Sequence, residues 1–256
     1  MMRLRQIALV ARDLEPTVQD LTAVLGLEVC YRDPAVAKWG LINALMPIDG
    51  NFLEVVTPVE ENTSAGRYLE RRHGDGGYMV ILQCDDALAE RARVAALGIR
   101  AVASADRPHY RYTHFHPADT QGILLSIDST TPGNDWHAEH AEWAPAGTAW
   151  KPAVRTAVTK ALVGAEIQHE DPAALAALWS KILNLPAGRL ADGNPGIRLE
   201  NAVLRFVPAS DGRGRGLGAI DVTTADRGRL LAEAQSRGLQ RSPTQVELCG
   251  CRVNLV

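Results

Sequence analysis

Cysteine is scarce in this chain of 256 residues: Cys30, Cys84, Cys249 and Cys251 are scattered, and no two form a C-x-x-C pair. That argues against a disulfide framework or a zinc ribbon and suits a reduced compartment, so the expected location is the cytoplasm. Cys249 and Cys251 flank Gly250 in a strand-like run, where alternate residues point the same way, and they read as two small buried thiols. Long apolar runs are also missing. None approaches the ~20 residues of a membrane span, and the apolar run between Arg5 and Arg12 is too short for a secretory leader. No excess of charge stands out either. The formal net charge is -3, with no basic stripe interleaved with aromatics, so neither nucleic acid nor membrane is an expected partner. The densest basic run, RGRGLG from Arg213 to Gly218, follows Asp-Gly and reads as a solvated loop.

What is present is a balance of 46% hydrophobic and 22% charged residues, enough for a soluble protein with a proper core. The first unit opens with the strand-like QIALVA, followed by Asp13 at a helix N-cap position. A helix follows with Val18, Leu21, Val24 and Leu25 at helical spacing, ending at Gly26. LEVCYR, KWGLINALMPI and NFLEVVTP supply three more strand-like segments, separated by Asp-Pro and Asp-Gly turns. This β-α-β-β-β order returns from GYMVILQCDD, from ALVGAEIQHEDP and from GLGAIDVTTADR. A period of roughly 50–70 residues means duplicated modules rather than a thin solenoid. The expected division is an N-terminal pair of modules over 1–130, a linker over 131–158 that packs its three tryptophans onto a domain, and a C-terminal pair over 159–256.

The order of elements, together with QIALVARDLE, EVVTPVEENTSAGRYLERRHGDGGYMVIL and HPADTQGILLSID, resembles the vicinal-oxygen-chelate superfamily. That superfamily includes glyoxalase I, methylmalonyl-CoA epimerase, extradiol dioxygenases and bleomycin-resistance proteins, and the local match is to glyoxalase-like and epimerase-like members. The resemblance implies an α+β fold: four βαβββ modules paired into two glyoxalase-like domains with curled mixed sheets. It also implies a cup in each half, where two strands of each module offer one inward ligand to a divalent metal that polarises a substrate oxygen.

In the first module those positions fall on Gln6 and Glu54, a partial ligand set. A lone carboxylate among Phe52, Leu53, Val55 and Val56 needs an internal partner, unless the strand is an edge that turns it to water. In the second module the positions fall on Met79, next to Tyr78, and on Ser126, and neither a thioether nor a hydroxyl suits a hard dication. The degenerate C-terminal half offers Gly164, Arg205, Ala219 and Asn254, of which Arg205 reads as one member of a structural ion pair or, facing inward, as a partner for a carboxylate or phosphate of a ligand. The run HYRYTHFHP alternates Tyr110, Tyr112, His114 and His116 against His109, Arg111, Thr113 and Phe115, and one face should line the cup. His114 is the pocket candidate and His116 a loop cap. His137 and His140 read as surface beside Glu139 and Glu142, and His169 as surface at a strand-to-helix turn.

Two readings stand side by side. In one, a glyoxalase- or epimerase-like lyase or isomerase uses Glu54 as base, Gln6 to orient a substrate oxygen, and His114 or Tyr112 to move a proton. In the other, a non-catalytic cup binds a small, partly aromatic molecule on Trp39, Met46, Tyr78, Met79 and Tyr112. A metal-dependent dioxygenase or lyase would need its ligands rescued by His114 or His116. A bound divalent ion and a homodimer stay open.

Overall fold

The computed structural model describes residues 1–130, 135–138 and 140–256. The N-terminal half runs β1 (Met2–Val10), α1 (Leu14–Leu25), β2 (Leu41–Ile48), β3 (Asn51–Pro58), α2 (Ser64–Arg71), β4 (Gly76–Cys84), α3 (Ala87–Ala95), β5 (Ala101–Arg107), β6 (Tyr110–Phe115) and β7 (Leu124–Thr130). The C-terminal half runs β8 (Thr159–His169), α4 (Pro172–Leu183), β9 (Ala187–Arg189), β10 (Pro195–Arg198), β11 (Val203–Pro208), β12 (Gly216–Thr224), α5 (Arg227–Ser236), β13 (Gln240–Ser242), β14 (Gln245–Leu248) and β15 (Cys251–Leu255).

These strands form two mixed sheets, a seven-stranded one in the order β2-β3-β1-β4-β7-β6-β5 and an eight-stranded one in the order β13-β14-β15-β12-β8-β11-β10-β9. In each, the first strands of two modules meet antiparallel at the centre, β1 with β4 and β8 with β12. Modules therefore pair within each half of one chain. The architecture is the α+β arrangement expected from the modular order.

The first module departs from that order. LEVCYR forms no strand, only an isolated bridge between Tyr31 and Leu45. After Asp33, six residues wind as a 3-10 helix, Pro34–Trp39, because Pro34 cannot extend the strand and the Asp33 side chain accepts the Ala35 N–H. Asp13 does precede α1 in extended conformation, but its side chain makes no capping bond. The helix α2 in the junction between modules was not anticipated; the Thr63 hydroxyl caps it by accepting from Gly66 N.

Strand alternation divides the apolar residues between two clusters. The larger runs through both halves and includes Ile7, Leu82, Ile167 and Ile220, with Met46 in it. The smaller lines the other face of the seven-stranded sheet, with Ala8, Phe52, Tyr68, Tyr78, Met79, Trp143 and Trp150. The linker tryptophans Trp136, Trp143 and Trp150 are all buried. Arg5, wholly buried, donates to the carbonyls of Gly50 and Ala141 and lies against the rings of Phe52 and Trp143, which fixes the linker on this face.

The RGRGLG run is not a solvated loop. Arg72 donates to the carbonyls of Arg213, Gly214 and Arg215, while Arg213 donates back to those of Arg72, Gly74, Asp75 and Gly250. A close approach makes this clamp possible, since a Cβ on Gly250 would lie 2.1 Å from the Asp75 carbonyl oxygen. No helix among the described residues is long and apolar enough to cross a membrane.

Candidate functional site

The concave face of the seven-stranded sheet holds a cavity of about 800 Å³. Glu54 lies on its floor, 7% exposed, with both carboxylate oxygens engaged. Gln6 Nε2 donates to Oε2 at 2.8 Å and Asn43 Nδ2 donates to Oε1 at 2.6 Å. Each amide is itself held from behind. The Trp143 indole N–H donates to Gln6 Oε1 at 2.7 Å, and the Asp33 backbone N–H donates to Asn43 Oδ1 at 2.7 Å. Both amide groups are thereby oriented with their NH2 toward the acid. Burial raises the Glu54 carboxyl to about 6, partly offset by the bonds from Asn43 and Gln6.

The wall opposite comes from β6, whose alternation turns Tyr110, Tyr112 and His114 into the cavity. Tyr112 and His114 stack with ring centres 4.6 Å apart, and Trp39 joins His114 at 5.9 Å. His114 is pushed down to about 4, by burial and then by Lys38, so the imidazole is neutral near pH 7. It can accept or donate a hydrogen bond there. His116 also borders the cavity; its Nδ1 accepts the Ala118 N–H at 3.0 Å, the loop-cap role expected of it.

Tyr78 and Met79 line the cavity as expected, and Trp39 sits at its mouth. Ser126 does not reach it. That residue is wholly buried and donates to Asp128, whose other carboxylate oxygen accepts from the Tyr110 hydroxyl. Met46 belongs to the core on the far side of the sheet. His169 is buried rather than on the surface, with Nδ1 accepting from Asp171 N at 2.9 Å. His137 and His140 meet Glu200 and Asp49 at 3.2 and 2.9 Å, and Glu139 lies outside the described residues.

Sequence reasoning missed Asn43, Trp143 and Asp128 as members of this site, and put Tyr110 on the same strand face as Tyr112 and His114 without giving it a role. It also missed the cations at the mouth. Lys38, Arg71 and Arg107 border the cavity and form no ion pair among the described residues. Arg215 reaches the same mouth from the other half, its stem so close to Gly122 that a Cβ there would stand 2.8 Å from Arg215 Cγ.

In the C-terminal half the corresponding positions are occupied by packed and paired side chains. Arg205 bridges Glu166 and Asp221 at 3.2 and 2.8 Å, Arg252 adds a bond to Glu166 at 2.6 Å, and Asn254 donates to Asp221 at 2.8 Å. A side chain at Gly164 would collide with Asp221 Oδ2, 2.7 Å from its Cβ position. Ion pairs fill the space that a ligand would take.

A family model for the glyoxalase-like domain matches residues 7–183, from β1 into α4. The chain belongs to the glyoxalase-like domain family. It is thereby a member of the vicinal-oxygen-chelate superfamily. An ethylmalonyl-CoA/methylmalonyl-CoA epimerase from Cereibacter sphaeroides is 25% identical over 130 residues, 49% of this chain and 96% of the relative. A Streptomyces coelicolor methylmalonyl-CoA epimerase, solved with 2-nitronate-propionyl-CoA, is 25% identical with a TM-score of 0.44, covering 50% of this chain and 97% of that one. A hypothetical protein from Staphylococcus aureus matches at 12% identity and a TM-score of 0.67, across 100% of this chain and 99% of its own, which extends the likeness of fold to both halves.

Family membership implies a divalent metal in the cup, and the donors present here do not fit one. Gln6 commits its oxygen to the indole of Trp143, Met79 offers a thioether, and Ser126 is wholly buried and bonded to Asp128. Among the described residues no three His, Cys, Asp or Glu side chains converge on a common point. Of the four superfamily ligand positions in this half, Glu54 alone provides a ligand that a hard dication favours.

Proposed function

We propose that the N-terminal cup, within 1–130 and completed by the linker, takes up an anionic, carbonyl-bearing small molecule, and that Glu54 removes and returns the proton on the carbon beside the carbonyl. This is isomerase or lyase chemistry. The observation that carries it is the placement of Glu54: one carboxylate on the floor of a closed apolar cup, held by two amide donors, with its proton affinity raised to about 6. A base of that strength is ionised near neutral pH and still suited to taking a proton from carbon. Gln6 and Asn43 position it. Trp39, Tyr78, Met79, Tyr112 and His114 supply the walls, and Lys38, Arg71 and Arg107 favour a substrate with negative charge.

The substrate of the epimerase relatives, methylmalonyl-CoA, belongs to the right class, since its acidic C–H lies beside a thioester carbonyl and the molecule is anionic. It is the first probe. Proton NMR of methylmalonyl-CoA in D2O should show loss of the C2 proton signal with wild-type protein, slowed at least 100-fold by Glu54→Gln. Exchange equally fast with the variant would defeat the proposal.

The stacked wall of Trp39, His114 and Tyr112 supports a second reading, a cup that binds a planar molecule without reacting. Under that reading Glu54→Gln leaves ligand affinity unchanged and neither protein exchanges the proton.

A further inference from the structure

Removing a proton beside a carbonyl places negative charge on the carbonyl oxygen, and something must stabilise it. In a superfamily named for metal chelation that is the metal's task, and the donors here do not suit a metal. Facing the same cavity, however, is Tyr110, whose hydroxyl is bonded to the wholly buried carboxyl of Asp128, which Ser126 also contacts. The Tyr110 ring packs edge-on against Trp143, at 5.4 Å and 83°, and Trp143 reaches Glu54 through Gln6. Tyr110 thus stands across the cup from the proposed base, with a second carboxyl behind it that forms no ion pair among the described residues.

We propose that Tyr110 is the catalytic donor to the substrate's carbonyl oxygen as charge develops there, and that Asp128, in its carboxylic-acid form, is the positioning residue that frees it to do so. The inference rests on the proton-transfer reading of Glu54. When Asp128 is ionised, the Tyr110 hydroxyl donates to it and is turned from the cavity. When Asp128 carries its proton, the acid O–H donates to the Tyr110 oxygen, and the phenol hydrogen is available to the substrate. In the reaction the C–H electron pair moves into the bond between the two carbons, the carbonyl π pair moves onto oxygen, and Tyr110 hydrogen-bonds the resulting enolate. Glu54 holds the abstracted proton and returns it, so nothing is oxidised or reduced and no group leaves.

Burial holds the Asp128 carboxyl up to about 7. The groups facing it are Ser126 on its own strand, Tyr110 and Tyr112 on β6, and Gln83 and Cys84 on β4, with Glu54 beyond Tyr110. The active protonation state is therefore Glu54 ionised with Asp128 neutral. This confines activity to a narrow bell with limbs near 6 and 7.

The test is methylmalonyl-CoA proton exchange in the full-length protein across pH, with a carboxyl carbon NMR titration of 13C-aspartate-labelled protein alongside. Tyr110→Phe should lower exchange at least 100-fold at pH 6.5. Asp128→Asn, whose amide still donates to Tyr110, should keep exchange within about tenfold of wild type and abolish the alkaline limb. The NMR signal absent from Asp128→Asn should titrate near 7 in wild type even if the thioester proves not to be a substrate. Wild-type exchange in Tyr110→Phe, an alkaline limb that persists in Asp128→Asn, or titration of Asp128 in the ordinary carboxylate range would overturn the inference. Loss of exchange in Glu54→Gln with none of these effects would leave the base standing and remove only the donor.

Discussion

The indole N–H of Trp143 donates to Oε1 of Gln6 at 2.7 Å, so the amide of Gln6 presents its NH2, and not its oxygen, to Glu54 at 2.8 Å. A residue from the linker thus decides which end of a strand residue faces the acid. With the oxygen outward, Gln6 would suit a cation. As oriented, it suits a carboxylate.

Trp143→Phe should therefore act on Glu54 from a distance. The ring contacts with Tyr110 and Arg5 are largely kept, while Gln6 loses the bond that fixes its amide. Unfolding in urea should show a cost of about 1–2 kcal/mol for the unpaired buried oxygen. The exchange rate should fall about tenfold, with the acid limb moved to higher pH, because losing the Gln6 donor favours the neutral acid.

Asp128 makes stability depend on pH in a direction that can be checked. Its folded carboxyl lies near 7, above the ordinary value of 3.8, so its contribution is fully present below about 4 and is lost as pH rises through about 7. Asp128→Asn removes that loss. Urea unfolding should find the variant more stable than wild type at pH 8, by on the order of 2–4 kcal/mol, and not more stable at pH 4.

His114 and His116 should separate cleanly. His114→Ala removes a ring stacked with Tyr112 and Trp39 and should weaken ligand binding about tenfold or more, measured by calorimetry. His116→Ala loses a loop bond to Ala118 and should change binding less than twofold. Since His114 is neutral down to about 4, its removal should leave the limbs of the pH profile near 6 and 7 in place.

Arg205→Met tests whether the C-terminal half is filled rather than functional. It leaves Glu166 and Asp221 short of a cation and should cost about 2–3 kcal/mol of stability, with proton exchange unchanged. A lost activity with unchanged stability would place a ligand in that half.

The repeat of strand, Asp-started helix and strands made the modular fold legible in the sequence. The Gln6–Glu54 pair came from the resemblance to the superfamily, whose ligand positions fall on those two strand residues. Module one misled where local chemistry overrode pattern: LEVCYR is apolar enough for a strand, yet Asp33-Pro34 turns the chain into a 3-10 helix. Asn43 carried a usable signal, one amide in the apolar strand Leu41–Ile48, like the lone acid of the strand beside it. Asp128 was overlooked because the family position fell on Ser126, although a residue two further along shares its face. Trp143 had no signal of this kind, since a linker has no period and its partner is 137 residues away in sequence.

The most direct test of the account is the titration of Glu54 itself, by carboxyl carbon NMR of 13C-glutamate-labelled protein with Glu54→Gln to assign the signal. The account predicts a midpoint near 6 in the ligand-free protein. A midpoint in the ordinary carboxylate range, near 4.5, would place the side chain in water and contradict it.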